Sequence, residues 1–75
     1  MGSEDAVTEA LRVRRKTLRV INSCGDVLHL PAAARYAALA QQRLIQLSPM
    51  LPGGANGVLT YIELRLHLRR KALGA

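Results

Sequence analysis

The sequence predicts an all-α fold of three helices, and three observations predict it. Apolar residues recur at steps of three and four through most of the chain, which gathers them on one side of a helix. The chain has no Phe or Trp, and Tyr36 and Tyr61 are its only aromatic residues. A core must therefore come from Leu, Ile, Val and Ala, which suits helices packed closely on helices. Turn-forming residues gather between the periodic segments, at Gly25-Asp26 and from Pro49 to Gly57. The expectation is one domain over residues 1–75, with helices at about 4–24, 27–47 and 58–72 and a loop at 48–57. The first two helices are expected to form an antiparallel hairpin. The third is expected to cross that hairpin or pack on another subunit, with a dimer as the assembly.

In the first segment Ser3 is suited to the N-cap, with Glu4 and Asp5 where the helix dipole favours acids. Two apolar rows run side by side along it. One is Val7, Leu11, Leu18 and Ile21, interrupted by Arg14. The other is Ala6, Ala10, Val13, Thr17, Val20 and Cys24. Gly25 follows the last periodic residue, where a left-handed C′ glycine would end the helix.

Asp26 can cap the second segment, which begins either at Val27 or, after a loose turn, at Pro31. Leu30, Ala33, Ala37, Ala40, Leu44, Leu47 and Leu51 then step by three and four alternately. That is a heptad seam, with alanines in its middle that let two backbones approach. The third segment can be read in two ways. Ile62, Leu64, Leu66 and Leu68 alternate with Glu63, Arg65, His67 and Arg69, as a half-buried strand would. Yet Leu, Glu, Arg, Lys and Ala favour helix, and no upstream segment offers a partner strand. As a helix it has two apolar rows: Leu59, Ile62, Leu66 and Leu73, then Tyr61, Leu64, Leu68 and Ala72. That is more apolar surface than one neighbour covers. Helix is the reading taken.

A chain of 75 residues is short for a self-sufficient core, and such scaffolds usually add a staple. Cys24 is the only cysteine, which excludes an internal disulfide. Zinc wants four ligands, or three and a water. Cys24, His29 and His67 are scattered, and no cluster of carboxylates joins them. No metal or cofactor is expected, and a second subunit is the remaining staple. No run approaches the ~20 apolar residues of a membrane span. The start is acidic rather than basic, so the expected location is cytoplasmic.

Nothing points to an enzyme or a small-molecule substrate. Glu4, Asp5 and Glu9 fit dipole and capping roles in the first helix, and Asp26 fits a cap. Glu63 and His67 are four apart, which on a helix is a solvated surface pair before it is an acid–base pair. The loop Gly53-Gly54-Ala55-Asn56-Gly57 lacks the Lys and the Ser/Thr that end a phosphate-binding loop, and reads as a connector.

The net charge is +6, which favours acidic partners. The expected function is a small protein–protein interaction module: an adaptor, inhibitor or chaperone-like subunit. Its contact surface is expected on the third helix at Tyr61, Leu64, Arg65, Leu68 and Arg69, since interfaces favour Tyr and Arg. The partner would be a second copy or another protein with an acidic surface. The alternative is a small basic nucleic-acid-binding regulator. It would use Arg12, Arg15, Lys16 and Arg19 on the first helix with Arg69, Arg70 and Lys71 at the end of the third. A helix-turn-helix centred on Gly25 fails, because Pro31 falls where the recognition helix should be regular.

The stretch from Ile21-Asn22-Ser23-Cys24-Gly25-Asp26 to Arg35-Tyr36-Ala37-Ala38-Leu39 resembles helical hairpins of small phage and mobile-element proteins. The hairpin outline is also similar to that of small chaperones of bacterial type III secretion. Both resemblances imply a helical binding protein from a bacterium or its phage, and neither carries a catalytic motif.

Overall fold

Alanine on a helix face removes the bulk that keeps two backbones apart, and this chain places alanine where its helices meet. The computed structural model describes residues 3–74, with backbone alone for Ser3 and Glu4. Among these residues there are three α-helices, α1 (Ser3–Ser23), α2 (Leu30–Leu47) and α3 (Asn56–Ala72), and no strand. The segment whose alternation resembled a strand is helical throughout. The cap expected at Ser3 and the carboxylate of Glu4 lie outside the described side chains.

The ends of the helices set their directions. The sequence predicts a left-handed glycine at Gly25, but the left-handed glycines are Gly53, Gly54 and Gly74. Instead, the Cys24 N–H donates to the Ile21 carbonyl at 3.2 Å. The Ser23 hydroxyl donates to the Val20 carbonyl at 2.9 Å. Asp26 accepts the Leu28 N–H at 3.2 Å and caps a 3₁₀ turn over Val27–His29. That turn passes directly into α2, with Pro31 in the first α-helical turn, where a missing N–H leaves no carbonyl without its partner.

A second 3₁₀ turn, Ser48–Met50, follows α2. The Ser48 hydroxyl accepts the Ala55 N–H at 3.1 Å, which folds the glycine-rich loop back onto the end of α2. Gly53 and Gly54 have φ of +78° and +76°, a conformation that favours glycine. The fold-back buries Ala55 and aims α3 along the other helices.

Every residue of the α2 seam from Leu30 to Leu47 is buried. α1 meets it with Ala6, Ala10, Thr17, Ile21 and Cys24, and α3 with Ile62, flanked by the partly buried Leu59 and Leu66. Thr17 is the one buried polar residue described, and its hydroxyl donates to the Val13 carbonyl at 2.7 Å. A smaller cluster joins Cys24, Leu30 and Ala33, with Leu73 packed on it. At the other end, Arg43 of α2 pairs with Glu9 of α1. That hydrogen bond holds the Glu9 carboxyl below the usual carboxylate range, against a smaller opposing effect of burial.

The result is a thin rod, with Cα extents of 42 × 16 × 14 Å. Its accessible surface is 5068 Å², against about 4500 Å² for an ordinary monomer of this size. Thinness leaves apolar side chains outside. Half of the twelve buried apolar residues are alanines, while Leu11, Leu39, Ile45, Leu64 and Leu68 are exposed.

Replacing the buried Leu44 with Ala should cost about 2–5 kcal/mol. Overpacking the seam with Ala37→Leu should cost about 1–3 kcal/mol. Leu64→Ala should stay within about 0.5 kcal/mol, as exposed substitutions do. Urea unfolding followed by circular dichroism measures all three. A Leu64→Ala loss as large as that of Leu44→Ala would contradict this division into core and surface.

Candidate interaction surface

The two apolar rows of α1 and the two of α3 have different fates. On α1, the row through Ala10, Thr17 and Cys24 enters the core, joined by Ile21 from the other row. Leu11 stays 50% exposed and Leu18 is half-buried. On α3, Ile62 is fully buried, whereas Leu64 and Leu68 stay 49% and 45% exposed. Tyr61 is also exposed.

Beside these outer rows, contacts of Arg14 and Asn22 join α1 to α3. Arg14, the residue that interrupts the α1 row, lies over the Tyr61 ring at 4.9 Å from its centroid. This cation–π contact covers part of an exposed aromatic face and fixes the guanidinium at the seam. One turn further on α3, the Arg65 guanidinium donates to the Asn22 side-chain carbonyl at 3.4 Å. Two shallow grooves share Asn22. One is lined by Leu11, Arg14, Arg15, Leu18 and Arg19, and the other by Arg65, Leu68, Arg69 and Ala72. Leucines and arginines thus share this face, with Arg14, Asn22 and Arg65 at the joint between α1 and α3 and Arg15 and Arg19 exposed on α1.

Arg69 has a structural task. Its Nε–H donates to the Cys24 carbonyl at 2.8 Å, and Nη2 donates to the same oxygen. A carbonyl in the last turn of a helix has no partner within its own helix. Here a guanidinium from α3 gives the carbonyl just beyond α1 its partner. The same contact ties the far end of α3 to the end of α1.

Of the residues expected at a protein interface, Tyr61, Leu64 and Leu68 are exposed, while Arg65 and Arg69 are half-buried and bonded to α1. Of those expected at nucleic acid, Arg12, Arg15, Lys16, Arg19, Arg70 and Lys71 are exposed. None of them makes an ion pair with a described side chain. Arg12 and Lys16 face a different groove, between α1 and α2, lined also by Val13, Tyr36, Leu39 and Arg43. Sequence reasoning missed Leu11, Arg14, Leu18 and Asn22 as part of the outer face. The signal for Leu11, Leu18 and Arg14 was present in the first α1 row, with Arg14 as its interruption, and Asn22 had none.

Glu9, Asp26 and Glu63 are engaged elsewhere: with Arg43, with the Leu28 N–H, and with Gln41 at 3.5 Å. Cys24 is buried with a free thiol. Among the described residues, no three His, Cys, Asp or Glu side chains gather where they could hold a metal ion. No described helix is long and apolar enough to cross a membrane.

Arg69→Met should destabilise the fold by about 1–3 kcal/mol, because it leaves the Cys24 carbonyl without a partner. Arg70→Met, at an exposed neighbour, should stay within about 0.5 kcal/mol. Thermal melts separate the two, and equal losses would show that the Cys24 contact contributes nothing.

Compared with known protein families, with curated proteins and with solved structures, the chain gives no significant match.

Proposed function

We propose that the chain is a small, non-enzymatic protein–protein interaction module of the adaptor, inhibitor or chaperone-like kind, acting in the cytoplasm. In this reading α1 and α2 form an antiparallel hairpin, and α3 lies along it to complete one contact face. The face comprises Tyr61, Leu64, Arg65 and Leu68 of α3 with Leu11, Arg14 and Leu18 of α1. A second copy, giving a dimer, and an acidic surface on another protein are the occupants it could take.

One observation carries the reading. With the core closed, Leu11, Leu64 and Leu68 remain about half exposed beside Tyr61 on adjoining helices. Single exposed leucines are ordinary, but a row of large apolar side chains at Tyr61, Leu64 and Leu68 on one helix face is the kind of patch an interaction site uses. Central aromatic and aliphatic anchors with arginine at the edge are what binding surfaces use.

A second reading has its own support. Arg12, Arg15, Lys16 and Arg19 are exposed together on α1 without a described acidic partner. Such a stripe suits a phosphate backbone. Salt separates the two readings, because phosphate contacts weaken steeply with ionic strength and a packed apolar interface does not.

A photoreactive benzoylphenylalanine at Leu64 or Leu68, in cells that express the protein natively, tests the proposal. Discrete protein adducts should form from both positions and not from Gln42, which is exposed on α2. Equal labelling from Gln42, or no protein adduct at all, would count against it. A nucleic-acid adduct that disappears in high salt would favour the second reading.

A further inference from the structure

Given that this face is the contact surface, as proposed above, we infer that its occupant is an acidic amphipathic helix of another protein, and not a second copy of this chain. The exposed apolar side chains of α3 form one row. Tyr61, Leu64 and Leu68 follow the helical steps of three and four, and Leu11 and Leu18 run beside them. From Tyr61 to Leu68 the row is about 10 Å long, at the rise of an α-helix. A row of that length packs against about two turns of a helix whose own apolar residues recur at i, i+3 or i+4, and i+7.

The charge around the strip selects the partner. Arg15 and Arg19 stand exposed on the α1 edge. Arg14 is held over Tyr61, and Arg65 is held by Asn22. Two of these four guanidinium groups are therefore oriented before any partner arrives, which reduces the ordering cost of binding. None of the four makes an ion pair with a described carboxylate.

A two-fold dimer through this face would set the same patch on itself. It would bring arginine rim against arginine rim between chains that each carry a net charge of +6. Like charges opposed across an interface disfavour the pairing. Carboxylates flanking an apolar row satisfy the strip and the rim together. Nucleic acid satisfies the rim alone and leaves the leucines in water.

Selection of random helical peptides displayed on phage, against the immobilised chain, tests the assignment. Enriched peptides should carry an apolar row at helical spacing with an excess of Asp and Glu. Leu64→Asp with Leu68→Asp should abolish their binding, with helicity kept by circular dichroism. Arg15→Glu with Arg19→Glu should weaken the acidic peptides about tenfold at low salt, and less as salt rises. Repeating the selection on that charge-reversed variant should shift enrichment toward Lys and Arg. Leucine-dependent peptides without acidic bias, or with no response to charge reversal, would overturn the acidic partner and leave the interaction module standing. A dimer by light scattering that the two leucine substitutions dissolve would assign the face to a second copy, and would overturn the inference in the same way. Binding of a DNA or RNA duplex that needs Arg15 and Arg19 but ignores the leucine substitutions, with no leucine-dependent peptide recovered, would overturn both.

Discussion

The closeness of three helices at alanine is the constraint on which the rest of the structure depends. Ala6 and Ala10 of α1, Ala33, Ala37 and Ala40 of α2, and Ala55 before α3 occupy the places where larger side chains would hold the helices apart. Close approach gives good packing with few atoms, and the cross-section stays small. It also fixes how much apolar volume the interior can take. Ile21, Leu30, Leu44, Leu47 and Ile62 fill what remains, while Leu11, Leu64 and Leu68 stay exposed. The outer rows of α1 and α3 are therefore a consequence of the core.

Charge follows the same geometry. The carboxylates with described partners serve the inner architecture, as Glu9 does with Arg43, while the arginines collect on the outside. Arg14, Arg65 and Arg69 are each held by a neighbouring element: by Tyr61, by Asn22 and by the Cys24 carbonyl. These contacts join α1 to α3 along its length, so the seam between the two helices is both a structural joint and the middle of the exposed face. Exposed leucines and tyrosine therefore stand beside guanidinium groups that neighbouring elements already hold.

Much of this was legible in the sequence. The α2 seam from Leu30 to Leu47 could be read directly, because steps of three and four in an alanine-rich run have one structural meaning. The pairing of apolar rows on α1 and α3 was legible too, and so was the exposure of the Tyr61, Leu64 and Leu68 row. Which α1 row turns inward was not. Leu11 and Leu18 look as suited to a core as Ala10 and Thr17, and only the width of the bundle decides against them. The end of α1 was misread for a related reason. A glycine after a helix suggests a left-handed cap, but Gly25 is not left-handed, and Arg69, 45 residues away in sequence, bonds the Cys24 carbonyl beside it. The helical state of residues 58–69 was ambiguous because alternation and helical rows coexist there. The inner row, with Ile62 at its centre, has a place in the core only as a helix.

The central claim is that closing the alanine seam leaves the large side chains of the α1–α3 face in water. Methyl-resolved NMR with a soluble paramagnetic relaxation agent tests it most directly on the isolated protein. The methyl groups of Leu11, Leu64 and Leu68 should relax strongly, while those of Ile21, Leu44 and Ile62 should be protected. Equal protection of both sets would mean that the outer rows are already covered, and would contradict the account.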